Sequence, residues 1–385
     1  MGYQIAYGVE CLSEYRAGIA RVGIDLFEAL VDWDQGNRYL LVADREIPWL
    51  DVGTRSNARK VQGSIFHPRL SDGLAIPLWT QFQLPRLLMK LNSDLYVHTG
   101  MPPMLPFLPP WPRIKKIVLL YDVINVKRPE FFNPITFVHA RLAKGFALRF
   151  FDHILTISSA SQKDAQEFLG ASPEKMTVIP LGLSRIFEKI VSPETISQVQ
   201  RKIGQDDAPF ILFVGTLEPR KNLQGLLNAF KLSGLANDYR LVVVGARGWK
   251  TDVIFRRLAE LGIADSVFFT GFVSDEELCA LYSSATLLCY PSFDEGFGLP
   301  VLEAMACGCP VVASKIPAIE EVAGEVPLYV DPQNDHSIAS ALKRMVEDKP
   351  LREAVVKKGK QRAQEFSWNR VALEVTRVID KIIGI

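Results

Sequence analysis

Short apolar stretches of strand length alternate with helical patterns along most of the chain, and the alternation runs twice. The first run has strand candidates at residues 4–9, 39–42, 94–97, 117–120, 153–157 and 178–179. After the first of them, GIARVGIDLFEAL places Ile19, Val22, Gly23, Leu26, Phe27 and Leu30 at helical spacing. The second run has FILFV from 210, RLVVVG from 240, SVFFTG from 266, TLLCY from 286 and PVVA from 310, again with helical patterns between. Parallel strands can be joined only through long crossovers, so the alternation predicts parallel sheets covered by helices. With 385 residues the chain also exceeds what one core organises. The reading is an α/β protein of two Rossmann-like, doubly wound domains at 1–185 and 186–366. Residues 182–205 have no strand pattern, carry Pro193 and are the candidate hinge. The final 50 residues hold three helical patterns. The last, over 367–385, has an apolar face of Val371, Val375, Val378, Ile379 and Ile382 that needs a surface, and is expected to cross back to the first domain.

Charge narrows the function classes. Forty-four Lys+Arg against 43 Asp+Glu leave a net charge of +1, without the basic excess of a dedicated nucleic-acid binder, so a small ligand is expected. No signal-like N-terminal segment and no apolar run of membrane-spanning length is present, which reads as a cytosolic chain. Cys11, Cys279, Cys289, Cys307 and Cys309 are odd in number and lack CxxC spacing, which predicts small core thiols rather than a disulfide framework or zinc site. A G-x-G-x-x-G after the first strand and a P-loop are both missing, which counts against a dinucleotide oxidoreductase and a P-loop NTPase. No His/Cys cluster proposes a metal.

In parallel α/β sheets ligands sit beyond the carboxyl ends of the strands, and three loops there stand out. In SFDEGFGLPVLEAMACGCPVV, Pro300 suits a first helical turn and Gly308 the position past a helix end. Backbone donors around Gly298 and Leu299 would then form an anion site at a helix N-terminus. Glu295 lies in the turn and Glu303 within the helix, seven residues between them, so the two carboxylates face different parts of one ligand; such a pair is otherwise ordinary surface charge. In GTLEPRKNL, Gly215 permits close approach of a ligand, and Arg220 and Lys221 sit at the start of a helix, where cations oppose the dipole unless an anion binds. A phosphate would suit them, with a solvated basic turn as the alternative. The third loop is the turn at Arg16 to Arg21, where Gly18 could approach a phosphate.

EGFGLPVLEAMACGCPVVAS, GTLEPRKNL and GFVSDEELCALYSSA resemble the C-terminal half of the family 4 retaining glycosyltransferases of GT-B fold, a group with many bacterial mannosyl- and glucosyltransferases of polysaccharide assembly. The resemblance is specific over residues 210–368 and fainter over 1–180, where GIARV is similar to the group's GIGRY turn. It implies two domains facing across a cleft and a sugar transferred with retention, without metal, from a nucleoside diphosphate donor. It assigns Arg220 and Lys221 to the diphosphate, Glu303 to the ribose, and Glu295 with the backbone of Phe297 and Gly298 to the transferred sugar. It also places 271–273, with Val273, beside the nucleobase, and His98 near the donor sugar, against a buried structural histidine. Two positions depart from the family: Ala20 stands for the second glycine of GIGRY, and Tyr121, next to Asp122, for a histidine. A tyrosine can hydrogen-bond an oxygen there but cannot be a cation near neutral pH.

The remaining features of the first domain concern the acceptor, a saccharide or lipid-linked hydroxyl. MPPMLPFLPPWPR at 101–113 is a stiff loop with six prolines. FVHARLAKGFALRFF at 137–151 combines Arg141, Lys144 and Arg149 with apolar residues, as lipid-facing members of the family do, and reads as a half-buried helix or as a peripheral membrane contact. The expected activity is hexosyl transfer in cell-surface polysaccharide or glycolipid assembly, with UDP and GDP both open as the donor nucleotide. The rivals are a catalytically silent nucleotide-sugar binding subunit, and an epimerase or phosphorylase on the same fold.

Overall fold

The computed structural model describes residues 2–9, 18–44, 55–62, 78–100, 114–132, 145, 147–202, 204 and 208–384. They form two compact units, Met1–Gly182 with Ser367–Ile385, and Leu183–Phe366.

In the first unit, seven strands run in the order β3-β2-β1-β4-β5-β6-β7. They are β1 (Gln4–Gly8), β2 (Arg38–Ala43), β3 (Ala58–Gln62), β4 (Leu95–His98), β5 (Lys115–Leu120), β6 (His153–Thr156) and β7 (Met176–Val178). Every pairing is parallel. The apolar stretches of the sequence become the buried inner strands, covered on both faces as parallel sheets are. The polar edge strand β3, ARKVQ, is only partly covered, and its lack of an apolar run kept it out of the sequence reading. The first helix, Ile19–Trp33, buries Val22, Gly23, Leu26, Phe27 and Leu30 and leaves Ile19 exposed.

The helix Trp368–Ile383 packs on Ile19–Trp33, burying Val371, Ala372, Val375, Val378 and Ile379, while Ile382 stays half-buried. Its first turn leaves no space at Gly182, where a Cβ would stand 2.5 Å from Cγ and 2.6 Å from the backbone nitrogen of Trp368.

In the second unit six parallel strands run in the order β10-β9-β8-β11-β12-β13. These are β8 (Phe210–Val214), β9 (Arg240–Val244), β10 (Val267–Gly271), β11 (Leu287–Tyr290), β12 (Val311–Ser314) and β13 (Leu328–Val330). The three-residue β13 gave no sequence signal. Within the candidate hinge stretch, Pro193 opens a helix, Pro193–Lys202, whose first position tolerates proline because that nitrogen needs no helical partner. No helix among the described residues is long and apolar enough to cross a membrane. The 101–113 segment, Arg16, Arg141 and Lys144 lie outside the described residues; Arg149 is exposed in the short turn Leu148–Phe150.

Gly182→Ala should lower the unfolding free energy of the first unit by about 1–3 kcal/mol, because the added methyl must displace Trp368 and its backbone. Thermal and urea denaturation measure it; an unchanged transition would mean that the helix is not seated against residue 182.

Candidate functional site

In each sheet the chain reverses its winding at one strand pair, β1/β4 in the first unit and β8/β11 in the second. The crevice beyond the carboxyl ends of such a pair is where this architecture binds ligands. Strands β8 and β11 pair through Ile211–Leu287 and Leu212–Leu288, and the loops that follow them carry Arg220, Lys221 and Glu295.

After β8, residues Pro219–Lys221 make a 3-10 turn, Asn222 adopts a left-handed conformation (φ 55°), and the helix Leu223–Leu232 begins. The two cations therefore stand in the turn that leads directly into the helix. Asn222 caps the helix by accepting from the Gly225 nitrogen at 3.1 Å and donates to the Pro332 carbonyl at 2.8 Å, which fixes the turn from both sides.

Arg220 and Lys221 converge on Glu295. Arg220 Nη1 donates to Glu295 Oε2 at 2.7 Å and to the Asp294 carbonyl at 2.9 Å, and Nη2 donates to Glu218 Oε1 at 2.5 Å. Lys221 Nζ donates to Glu295 Oε1 at 2.7 Å and to the Tyr290 hydroxyl at 2.7 Å; that hydroxyl donates in turn to Glu295 Oε1 at 2.8 Å. The Lys221 stem runs over Gly215, where a Cβ would lie 3.4 Å from both Cδ and Cε. Glu295 is 8% exposed, and burial alone would raise its pKa, yet Arg220 and Lys221 hold it down at about 2. Burial, reinforced by Glu295, pushes the Tyr290 phenol well up, so it stays a neutral donor.

Glu303 is separate from this knot. It lies on the helix Leu299–Cys307, is 2% exposed and accepts from the Tyr282 hydroxyl at 3.0 Å through Oε2. The helix opens at Gly298 (φ 111°), with Pro300 in its first turn and no side-chain cap, and ends at Gly308 in the left-handed region. Phe297 packs edge-on against Phe366 at 6.0 Å, so its side chain belongs to the core and only its backbone can serve a ligand. Val273, half-buried, precedes the capping box of Ser274 and Glu277 that opens the helix Asp275–Ser284.

In the first unit Gly18 precedes the helix Ile19–Trp33 at φ 54°, ψ −123°, a conformation open to glycine, and no side chain caps that helix. Two tyrosines brace its first turns: Tyr121 donates to the Ile19 carbonyl at 3.4 Å and Tyr7 to the Gly23 carbonyl at 2.6 Å. Burial raises the Tyr121 phenol, keeping it neutral. Asp122 accepts from the Ile124 nitrogen at 3.1 Å, opening a short helical turn. His98, the last residue of β4, is 2% exposed, with Nδ1 3.0 Å from the Tyr96 hydroxyl and its ring 6.1 Å from that of Phe151.

Comparison with known proteins supplies the family. The family model described as Glycosyltransferase Family 4 matches residues 17–185, and Glycosyl transferases group 1 matches 196–362. The chain belongs to glycosyltransferase family 4. It is 36% identical over 218 residues to O-antigen chain mannosyltransferase B of Escherichia coli, covering 56% of this chain and 57% of that protein. It is 34% identical over 235 residues to the MMP alpha-(1->4)-mannosyltransferase of Mycolicibacterium hassiacum, covering 60% and 54%. The chain thus spans a little over half the length of the curated relatives it matches. Among solved structures, Anabaena HepE in complex with UDP and glucose is similar at a TM-score of 0.76 and 20% identity, over 98% of this chain and 100% of that one. WaaG, a glycosyltransferase involved in lipopolysaccharide biosynthesis, is similar at 0.74 and 17%, over 99% and 100%. These two likenesses establish the GT-B fold.

The family motif residues of the second unit thus fall into two clusters, one around Glu295 and one around Glu303. Tyr290 and Tyr282, which complete them, looked like core residues in the sequence. The one available hint for Tyr290 was its place at the end of a strand, immediately before the acidic loop.

A carboxyl held near 2 when folded and near 4.5 when unfolded contributes stability that is complete above about pH 4.5 and lost as pH falls toward 2, about 3 kcal/mol in all. Glu295→Gln should therefore be less stable than the parent at pH 7, with the gap closing between pH 4.5 and 2. Denaturation at a series of pH values checks this, and a pH-independent gap would contradict the pairing.

Proposed function

We propose that the chain is a retaining hexosyltransferase that moves a sugar from a nucleoside diphosphate donor to a hydroxyl of a saccharide or lipid-linked acceptor in cell-surface polysaccharide assembly. The observation that carries this is the placement of two nearly buried cations, Arg220 and Lys221, in the loop after β8 at the switch point of the second sheet. A donor diphosphate brings more negative charge than one carboxylate and competes with Glu295 for both cations. Arg220 offers a planar fork and Lys221 a point charge to the phosphate oxygens, and both stabilise the negative charge that builds up on the leaving diphosphate. Glu295, released from the pair, turns to the transferred sugar, where positive charge develops at the anomeric carbon. Glu303, held apart by Tyr282, takes the ribose hydroxyls, and backbone groups at Gly298 and Leu299 add donors at a helix start. Because the leaving charge is met by Arg220, Lys221 and backbone dipoles, the reaction is proposed to need no divalent metal.

The names of the relatives set the donors to test: HepE is known with UDP-glucose, and the two curated relatives are named mannosyltransferases. A panel of UDP- and GDP-sugars, scored by thermal shift and then by slow release of free sugar, should yield one donor that both binds and turns over. Binding without turnover in the presence of acceptors would favour the silent binding subunit instead.

Arg220→Ala and Lys221→Ala should each weaken nucleoside diphosphate binding by about 1.5–3 kcal/mol, roughly ten- to hundredfold, while leaving the bare nucleoside nearly untouched. Calorimetric titration with both ligands decides it; equal losses would sink the diphosphate assignment. Activity should likewise survive excess chelator, and a complete loss restored by magnesium or manganese would show that a metal carries the leaving charge.

A further inference from the structure

The second unit holds two thiols for which the nucleotide reading has no use. Cys279, on the helix Asp275–Ser284, and Cys307, the last residue of the helix Leu299–Cys307, bring their Sγ atoms to 3.6 Å. Both are free; Cys279 is buried and Cys307 half-exposed, which gives a small reagent access to the pair from one side. Each also reaches a carbonyl of the short turn Arg185–Glu188, Cys279 that of Ile186 at 3.5 Å and Cys307 that of Phe187 at 3.6 Å. The same seam between the two helices carries Tyr282, one turn from Cys279, and Glu303, one turn from Cys307, joined at 3.0 Å. The Phe187 ring closes over Tyr282 edge-on at 6.0 Å.

We propose that Cys279 and Cys307 form a reversible disulfide that acts as a redox switch on the Glu303 carboxylate. The oxidant is a low-molecular-weight disulfide. Cys307, the more exposed of the two, attacks one of its sulfurs as its own proton leaves, giving a mixed disulfide and releasing one small thiol, which takes up that proton. The Cys279 thiolate then attacks the Cys307 sulfur, forming the internal bond and expelling the second small thiol with the Cys279 proton. Two protein thiols are oxidised and one small disulfide is reduced to two thiols. A bond near 2.05 Å draws the sulfurs together by roughly 1.5 Å. Both S–H donors are lost, so the Ile186 and Phe187 carbonyls lose those contacts. Glu303 sits one turn away on a helix of only nine residues, so the pull at Cys307 is transmitted to the carboxylate and to Tyr282. The effect on Glu303 rests on its reading as the ribose ligand; the disulfide itself does not.

The reduced protein is incubated with oxidised glutathione, alkylated under denaturing conditions and mapped by mass spectrometry, and UDP and GDP are titrated into both forms. A peptide linking Cys279 to Cys307, two hydrogens lighter and cleaved by dithiothreitol, is expected, with Cys289 and Cys309, buried elsewhere, still alkylated. The better-bound nucleotide should lose at least about fivefold in affinity on oxidation and regain it on reduction, with Cys279→Ser and Cys307→Ser insensitive. No link between the two, or a link that leaves affinity unchanged, overturns the switch. A reduced protein that binds neither nucleotide overturns the nucleotide reading, and the action on Glu303 with it, whereas the linked peptide is scored independently.

Discussion

Two buried carboxylates neutralise two nearly buried cations, Glu295 shared between Arg220 and Lys221 and Glu218 on Arg220, and the local fold of the second unit is arranged around that balance. Charges of this kind are costly to bury unless paired, and removing one partner leaves the others exposed to the full desolvation penalty. The surrounding features keep the pairing in register. Asn222 locks the turn that carries the cations, Tyr290 fills the gap between Lys221 and the carboxylate, and the lysine stem passes over Gly215 at the end of β8. On the proposed reading, a donor diphosphate would replace Glu295 on both cations without leaving either bare.

The first unit prepares its strand ends differently. Its first helix has no side-chain cap and opens on a glycine in a conformation other residues avoid, while Tyr7 and Tyr121 anchor the first turns from beneath. The tyrosine that replaces the family's histidine therefore has a structural use: its hydroxyl holds the carbonyl of Ile19, the residue next to Gly18. The charge a histidine could have carried is given up, and the position of the turn is retained.

Most of the fold was legible in the sequence because buried parallel strands are written as continuous apolar runs, as in FILFV and RLVVVG. The two strands that escaped, β3 and β13, are an edge strand of polar composition and a segment of three residues, and neither needs the pattern that announces an inner strand. In the site, Arg220, Lys221, Glu295 and Glu303 stood out as charges in Gly- and Pro-rich loops. Their partners did not. Arg220 and Glu295 are 75 residues apart and meet only because β8 and β11 are neighbours, a fact of topology rather than of local sequence. Tyr290 and Tyr282 are indistinguishable from core aromatics until the hydroxyl is seen to point at a carboxylate. His98 was singled out only by the family resemblance; the alternation of side chains puts it on the same face as Tyr96, with the two rings 5.9 Å apart.

The central claim is that the donor diphosphate takes Arg220 and Lys221 from Glu295. A crystal structure of the protein with its nucleoside diphosphate tests it most directly. The account predicts phosphate oxygens at hydrogen-bonding distance from the Arg220 guanidinium and the Lys221 ammonium, the ribose hydroxyls on Glu303, and at least one of the two Glu295 contacts broken. A complex in which the phosphates lie elsewhere, with both cations still bonded to Glu295 as at present, would contradict it.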